Sequence, residues 1–174
     1  MVKFLVVVDM QKDFVDGALG TAEAMNIVPN VVEKINSFDG EIIVTYDTHF
    51  ENYMETSEGK NLPVPHCIKG TDGWALDKDV QKALGGKKYT KIEKPTFGSV
   101  ELPKIIKQMA GDDEFSVELI GLCTDICVVS NALLVKASFP EIAISVDSKY
   151  CAGVTVDSHN AALCTMKMCQ IDVK

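Results

Sequence analysis

A cysteine stands where a buried strand is expected to give way to a helix. An apolar run at residues 117–120 is followed by the segment GLCTDIC at 121–127, and apolar residues then continue at helical spacing. A thiol in the first turn of a helix feels the positive end of the helix dipole, which lowers its pKa and places backbone N–H groups near a developing oxyanion. Thr124 or Asp125 is the expected N-cap. The pattern indicates that Cys127 is a nucleophile, the alternative being a small buried core residue.

The other five cysteines lack this setting. Cys123 lies closer to the strand end, where its backbone amide is of more use than its sulfur. Six cysteines spread along a chain of this length predict reduced thiols and not a disulfide scaffold. Most of the remaining thiols are interpreted as small buried hydrophobic residues; these four are Cys67, Cys151, Cys164 and Cys169.

Apolar runs and amphipathic segments alternate from end to end. Runs typical of buried parallel strands occur at residues 3–8, 41–46, 88–92, 116–120 and 141–146. Helical spacing occurs at residues 28–37, 99–110, 125–138 and 156–169. This alternation predicts a three-layer α/β fold, with a doubly wound, mainly parallel sheet and helices on both faces. Residues 1–174 are expected to form one domain.

Chemically capable side chains directly follow several of these strands. Asp9, Asp47, Lys94 and the segment at 123–127 all come after an apolar run. In open α/β sheets ligands bind beyond the carboxyl ends of the strands, so these groups are expected to meet there. Residues 47–74 show no clear helix or strand pattern, and a loop of that length is usually functional.

The net charge of the chain limits which classes of binding partner are expected. The formal net charge of −8 argues against nucleic acid or an anionic membrane, because both select clustered basic residues. A neutral or cationic small molecule fits better. The apolar stretch at residues 4–8 is too short to span a bilayer and is followed by Asp9, so a cytoplasmic location is expected.

Three segments together resemble the signature regions of the isochorismatase-like cysteine hydrolases, a family that includes nicotinamidases and N-carbamoylsarcosine amidohydrolase. They are VVVDMQKDF at residues 6–14, KPTFGS at 94–99 and GLCTDIC at 121–127. The resemblance covers nearly the whole chain in the same order. It implies an isochorismatase-like, Rossmann-like fold and a homo-oligomer, since relatives are frequently dimers or tetramers.

The resemblance also implies roles for the candidate residues. Asp9 would be the general base, Lys94 would hold Asp9 and help to keep Cys127 ionised, and Cys127 would attack an amide carbonyl. The amides of Cys123 and Cys127 would form the oxyanion hole. A buried cation beside a carboxylate and a thiol lets one negative charge move between them at little cost. In this family the peptide bond joining the residues at Leu122 and Cys123 is often cis.

The long loop resembles the metal site of nicotinamidases. Asp47 and His49 follow the second predicted strand, His66 lies further along the loop, and Glu58 matches an additional acidic ligand of some members. This oxygen and nitrogen donor set favours Zn²⁺, with Mn²⁺ or Fe²⁺ as alternatives. His159 lies in the last amphipathic segment and is interpreted as a capping or core residue.

The substrate-binding prediction rests on aromatic residues. Nicotinamidases commonly place a ring-stacking tryptophan three residues before the second metal histidine, and here that position is Pro63. Trp74 is expected to supply an aromatic wall instead, while Phe14 matches a ring-stacking position and Phe97 lies in the lysine segment. The expected reaction is hydrolysis of nicotinamide to nicotinate and ammonia through a thioester.

Two alternatives remain open at the level of sequence. The first is an amidohydrolase that needs no metal and acts on an N-carbamoyl or other small amide, in which Asp47, His49 and His66 only line the pocket. The second is a binding module of the receiver type that uses Asp9 and Asp47 as an acidic pocket. That module leaves Cys127 unexplained and usually has paired acidic residues after its first strand.

Overall fold

A computed structural model describes all residues, 1–174, and contains one six-stranded sheet in the order β3-β2-β1-β4-β5-β6. Every paired strand is parallel to its neighbour. The strands are β1 (Val2–Val8), β2 (Glu41–Asp47), β3 (Tyr89–Lys94), β4 (Phe115–Leu122), β5 (Ala143–Ala152) and β6 (Asp172–Val173). The five predicted strands are all present, and β6 is a two-residue edge strand that carries too few residues to show a pattern.

Helices connect the strands. They are α1 (Lys12–Val15), α2 (Ala22–Ser37), α3 (Ser57–Asn61), α4 (Lys78–Leu84), α5 (Glu101–Ala110), α6 (Val129–Ser138) and α7 (Val156–Met168). Helix α2 begins before the predicted residue 28 because Thr21 caps it, its Oγ1 accepting a hydrogen bond from the amide of Ala24 at 3.0 Å. None of these helices combines the length and the apolar character that crossing a membrane requires.

Two hydrophobic cores cover the two faces of the sheet. Along β1, Leu5 and Val7 face a core shared with α1, α2 and α4, whereas Phe4, Val6 and Val8 face a core shared with α5, α6 and α7. All five side chains are fully or almost fully buried. Burial of each stabilises the fold by about 1.5–3 kcal/mol relative to exposure. A strand buried on both faces reads as an unbroken apolar run, which is why the sequence predicted β1.

The direction of winding reverses between β1 and β4. From β1 the chain proceeds outward to β2 and β3, and from β4 it proceeds outward on the other side to β5 and β6. This switch point opens a crevice at the carboxyl ends of β1 and β4. Gly121 in β4 has φ +116°, and a Cβ there would lie 2.2 Å from the carbonyl oxygen of Val8. The glycine therefore lets β4 approach β1 at the edge where the candidate residues lie.

The predicted loop at residues 47–74 is largely irregular. It contains only a 3₁₀ turn (Tyr53–Glu55) and the short helix α3. The loop returns to the sheet edge, where the amide of His49 donates to the carbonyl of Cys67 at 3.0 Å. This return brings the end of the loop, with His66, next to the residues that follow β2.

Candidate active site

Lys94 lies at the centre of the candidate residues. Its Nζ is 2.6 Å from Asp9 Oδ2, 3.3 Å from Asp47 Oδ1 and 3.5 Å from Cys127 Sγ, and it donates to the carbonyl of Thr96 at 3.1 Å. The side chain is fully buried, so its ammonium depends on these partners in place of water. Burial alone would lower the pKa of Lys94, but the charges of Asp9, Cys127 and Asp47 outweigh it and raise that pKa. Lys94 is therefore a permanent cation at this position.

One carboxylate oxygen of Asp9 accepts a hydrogen bond and the other does not. Oδ1 accepts a hydrogen bond from Thr45 Oγ1 at 2.6 Å, whereas Oδ2 faces Lys94 but accepts no hydrogen bond within the usual angular limits. The residue is completely buried and takes the left-handed backbone conformation, with φ +46°, just after β1 ends. Burial raises the pKa of Asp9, opposed by the Lys94 charge. A buried carboxylate with spare acceptor capacity is suited to take up a proton.

Cys127 lies in a π-helical turn (Thr124–Val128) that precedes α6. The predicted cap is wrong, since no side chain caps this turn. Asp125 instead accepts from the amide of Val154, at 3.1 and 3.2 Å for its two oxygens, and Thr124 Oγ1 lies 2.8 Å from His159 Nδ1. Both side chains tie the turn to the segment that follows β5. Such π-helical turns occur frequently at functional sites.

Burial dominates the ionisation of the Cys127 thiol. The residue is 4% exposed, and burial followed by the charge of Asp9 raises its pKa well above the ordinary value. The expectation that the helix dipole lowers this pKa is therefore wrong, because desolvation of a thiolate outweighs the dipole at a buried position. Cys127 rests as a thiol and needs a neighbouring base before it can act as a nucleophile.

Asn131 joins two of the signature segments, a contact that was not predicted from the sequence. Its Oδ1 accepts from the amide of Ser99 at 2.9 Å, while its Nδ2 donates to the carbonyl of Cys127 at 2.8 Å and to that of Phe97 at 3.2 Å. Asn131 is completely buried. It therefore fixes the segment after Lys94 against the turn that carries the thiol. A lone asparagine inside a helical pattern carries no sequence signal for such a contact.

The peptide bond between Leu122 and Cys123 is cis, as the resemblance implied. Cys123 immediately precedes the π-helical turn, and its carbonyl accepts from the amides of Ile126 and Val128 at 3.1 and 3.0 Å. Burial raises the pKa of the Cys123 thiol to about 12, so this sulfur is a poor nucleophile near neutral pH.

Four side chains beside the thiol, here called the metal-ligand group, are close enough together to hold one metal ion. One ligand atom from each of Asp47, His49, Glu58 and His66 lies within 4.8 Å of all the others. Asp47 Oδ2 is 3.1 Å from His49 Nε2 and 3.5 Å from His66 Nε2. Glu58 Oε1 is 3.6 Å from His49 Nε2 and 3.5 Å from His66 Nε2. Two imidazoles and two carboxylates are a donor set that suits a borderline divalent cation.

Neighbouring groups orient these ligands. His66 Nδ1 donates to the carbonyl of Val64 at 2.8 Å, which directs Nε2 to the group. The Tyr53 ring packs edge-on against the rings of His49 and His66, with centroid distances of 4.8 and 5.1 Å. Gln11 holds the backbone of Asp47 at two points: its Nε2 donates to the carbonyl at 2.8 Å, and its Oε1 accepts from the amide at 2.7 Å. The ligand group is thus supported from several elements.

The local charges favour a cation on the two imidazoles. Burial acts to lower the pKa of both rings, but hydrogen bonds to Asp47 and Glu58 outweigh it and raise the pKa of His49 to about 9 and that of His66 to about 10. Burial likewise opposes ionisation of Glu58, yet the two histidines lower its pKa to about 2. The negative charges of Asp47 and Glu58, which hold a proton on each Nε2, would equally favour a metal ion there.

An inner cavity of about 50 Å³ brings the thiol and the metal-ligand group to one space. Its lining includes Phe14, Phe97, Cys123 and Cys127, together with three members of the ligand group. Phe14 and Phe97, which the sequence predicted as substrate contacts, therefore both line this cavity. Leu62 and Ile126, which the sequence did not single out, also line this cavity.

Among the candidate substrate-binding residues, Trp74 is the one that does not line this cavity. Its ring packs beside Tyr46 at 5.5 Å and under Lys91 Nζ at 4.1 Å, and its Nε1 donates to Thr48 Oγ1 at 2.9 Å. The expectation that Trp74 replaces the aromatic residue absent at Pro63 is wrong. Gln11 Nε2 donates to the Trp74 carbonyl at 2.9 Å, which holds this part of the chain beside β2 and away from the cavity.

The chain and its fold are similar to those of known proteins. The isochorismatase domain matches residues 3–173. The crystal structure of the nicotinamidase/pyrazinamidase PncA from Bacillus subtilis superposes with a TM-score of 0.85 at 24% identity, covering 99% of each chain. The crystal structure of a pyrazinamidase/nicotinamidase from Streptococcus mutans UA159 superposes with a TM-score of 0.84 at 26% identity, again over 99% of each chain. The pyrazinamidase of Pyrococcus horikoshii in complex with zinc gives 0.80 at 26% identity over 100% of this chain and 99% of that one. The predicted three-layer α/β fold is confirmed.

Proposed function

The chain belongs to the isochorismatase family, and from that premise we propose that it is an amidase that converts nicotinamide to nicotinate and ammonia. The relatives support a nicotinamidase-like function in a hydrolase acting on carbon–nitrogen amide bonds. One observation carries the proposal: Lys94 Nζ lies 2.6 Å from Asp9 and 3.5 Å from the Cys127 sulfur, and it also contacts Asp47 of the adjacent metal-ligand group.

Acylation begins with a proton transfer from the Cys127 thiol to Asp9 Oδ2. Lys94 contacts both groups, so the negative charge moves from oxygen to sulfur beside the same cation, and the cost of forming a buried thiolate falls. The thiolate attacks the amide carbonyl, and the amides of Cys123 and Cys127 stabilise the oxyanion. The carbon–nitrogen bond then breaks, and Asp9 returns its proton to the departing ammonia.

Deacylation uses the same groups, with water in place of the thiol as the nucleophile. Asp9, again a carboxylate, takes a proton from a water molecule that attacks the thioester carbonyl. The carbon–sulfur bond breaks, the proton returns to the Cys127 sulfur, and the carboxylic acid product leaves. The net reaction consumes one amide and one water and releases one acid and one ammonia.

We propose that Asp47, His49, Glu58 and His66 hold a divalent ion, Zn²⁺ before Mn²⁺ or Fe²⁺. The donor set and the outward hydrogen bond of His66 Nδ1 to Val64 support this assignment, as does the zinc bound to the pyrazinamidase of Pyrococcus horikoshii. The ion would supply a Lewis acid that orients a pyridine nitrogen or holds water next to the thiol. Phe14 would then pack against the ring of the substrate.

Release of ammonia tests the proposal. Purified protein is incubated with nicotinamide, pyrazinamide and a panel of small primary amides, beside Cys127→Ala, and its metal content is measured on the same preparation. We expect turnover of nicotinamide that Cys127→Ala abolishes, with close to one metal ion per chain. Turnover of N-carbamoyl amides alone by protein without metal would favour the amidohydrolase that needs no metal. No turnover of any amide would reject the hydrolase.

A further inference from the structure

The inner cavity adjoins a much larger one, with which it shares four lining residues. The outer cavity has a volume of about 800 Å³, against about 50 Å³ for the inner cavity at Cys127. Ligand sites in proteins usually measure roughly 300–1,000 Å³, so the inner cavity is too small to hold a whole substrate and the outer one is of the usual size. A substrate whose amide reaches Cys127 must therefore extend toward the outer cavity.

An apolar collar joins the two cavities. Leu62, Phe97 and Ile126 line both of them, as does Glu58. Leu62 directly follows α3, Phe97 lies in the loop after β3, and Ile126 directly precedes the nucleophile. Leu62 is 38% exposed and Phe97 is 43% exposed, although both are large apolar side chains. Apolar surface left open inside a concave site is a feature of ligand contacts.

Apart from the metal-ligand group, the only charged side chain at the outer cavity is Asp125. No lysine or arginine lines either cavity, and the carboxylates at the outer cavity are Glu58 and Asp125. Glu58 and His49, which also lines the outer cavity, belong to the metal-ligand group, which leaves Asp125 as the uncommitted charge. Its two oxygens accept only the amide of Val154, so lone pairs remain for a ligand.

We propose that the outer cavity is a second binding region, in which the amide substrate carries a substituent through the collar and Asp125 selects a cationic or hydrogen-bond-donating end over an anionic one. This inference rests on the proposed amidase function. It makes nicotinamide a minimal substrate that uses the inner cavity and the collar. Asp125 is a specificity-determining residue, and its place in the turn of Cys127 fixes its position relative to the scissile amide.

Three primary amides of similar chain length test the inference: 5-aminopentanamide, pentanamide and 5-amino-5-oxopentanoate, whose far ends are cationic, neutral and anionic. We expect kcat/KM to fall in that order, with a ratio of at least about fivefold between the cationic and anionic amides. The partly solvated charge of Asp125 attracts the cationic amide and repels the anionic one. Raising the salt from low to about 0.3 M should reduce this ratio through screening.

Asp125→Asn keeps an acceptor for the Val154 amide and removes the charge. We expect this variant to lower the ratio of the cationic to the anionic amide toward one. Asp113→Asn is the matched control, since Asp113 is exposed at the opposite edge of the sheet, and it removes the same net charge without changing the ratio.

The outcomes separate this inference from the proposed function. If nicotinamide is turned over but the wild-type ratio of kcat/KM for the cationic to the anionic amide is near or below one, the inference is overturned and the amidase stands. The same holds if Asp125→Asn leaves that ratio unchanged. Absence of turnover of nicotinamide and of all three amides overturns both. If Asp125→Asn is too unstable to assay, the salt dependence of the wild-type ratio decides: a ratio insensitive to salt overturns the role of the charge.

Discussion

Asp47 contacts Lys94 with one carboxylate oxygen and the metal-ligand histidines with the other. Oδ1 lies 3.3 Å from Lys94 Nζ, and Oδ2 lies 3.1 Å from His49 Nε2 and 3.5 Å from His66 Nε2. Asp47 is the single member of the metal-ligand group that touches the cation of the thiol site. A change in this carboxylate should therefore affect both metal binding and catalysis.

Asp47→Asn should weaken metal binding by about tenfold to 100-fold or more and lower kcat even at saturating metal, because the neutral amide removes a ligand charge and one partner of Lys94. Metal titration and ammonia release measure the two effects. Asp77→Asn is the control: Asp77 is also almost fully buried, but it caps α4 and contacts neither site. Full activity of Asp47→Asn at saturating metal would contradict the coupling.

Cys127→Ser should lower the rate of ammonia release by roughly 10³-fold or more while the protein stays folded, because a hydroxyl is far harder to ionise than a thiol in this buried position. Cys151→Ala is the matched control, since Cys151 is also buried but lies at the end of β5. We expect it to keep most of the activity. Equal loss in both variants would assign the effect to packing.

Lys94→Met should destabilise the protein by about 3–5 kcal/mol, because it leaves the fully buried Asp9 without its cation. The free energy of unfolding in urea measures the loss. The double variant Asp9→Asn with Lys94→Met removes the unpaired charge and should cost less than the sum of the single changes. Strict additivity would mean that the two groups do not interact.

Metal affinity should rise with pH from about 6 to 9. The raised pKa values of His49 and His66, about 9 and about 10, mean that protons occupy Nε2 below those values and must be displaced by the metal. Calorimetry in buffers of different ionisation enthalpy should count about two protons released per ion at pH 7, one from each imidazole. No proton release would show that the imidazoles are already neutral.

The same shifts predict how the stability of chelator-treated protein depends on pH. A pKa raised by folding contributes stability that is fully present below its unfolded value near 6.5 and is lost as the pH rises through about 9 to 10. Urea unfolding at pH 6 and pH 10 measures this loss. Loading with metal should reduce the dependence, since the ion replaces the protons.

Phe14→Leu should raise KM for nicotinamide several-fold, because Phe14 lines the inner cavity and packs against the ring of His66 at a centroid distance of 5.5 Å. Trp74→Phe should leave KM within about twofold, since Trp74 packs on Tyr46 and Lys91 outside the cavity. Steady-state kinetics with nicotinamide measure KM for both variants. An equal rise in KM for both would restore Trp74 as a substrate contact.

Local sequence signals were sufficient for much of the fold. The apolar runs predicted β1 to β5, because strands buried on both faces need continuous apolar residues. They also placed Asp9, Asp47 and Lys94 at strand ends. Helix α4 was not predicted, since its seven residues are too few for a periodic pattern to emerge. That residues 1–174 act as one domain, and that the protein forms a cytoplasmic homo-oligomer, stay predictions.

The sequence by itself determined which chemical groups are available and which strand end each one follows, because periodicity and turn residues are local properties of the chain. Only the tertiary structure decided what those groups face. It divided the two oxygens of Asp47 between Lys94 and the histidines, placed Trp74 away from the cavity, and raised the pKa of Cys127 through burial. These outcomes depend on packing between distant segments and on desolvation, and neither is encoded in the neighbours of a residue along the chain.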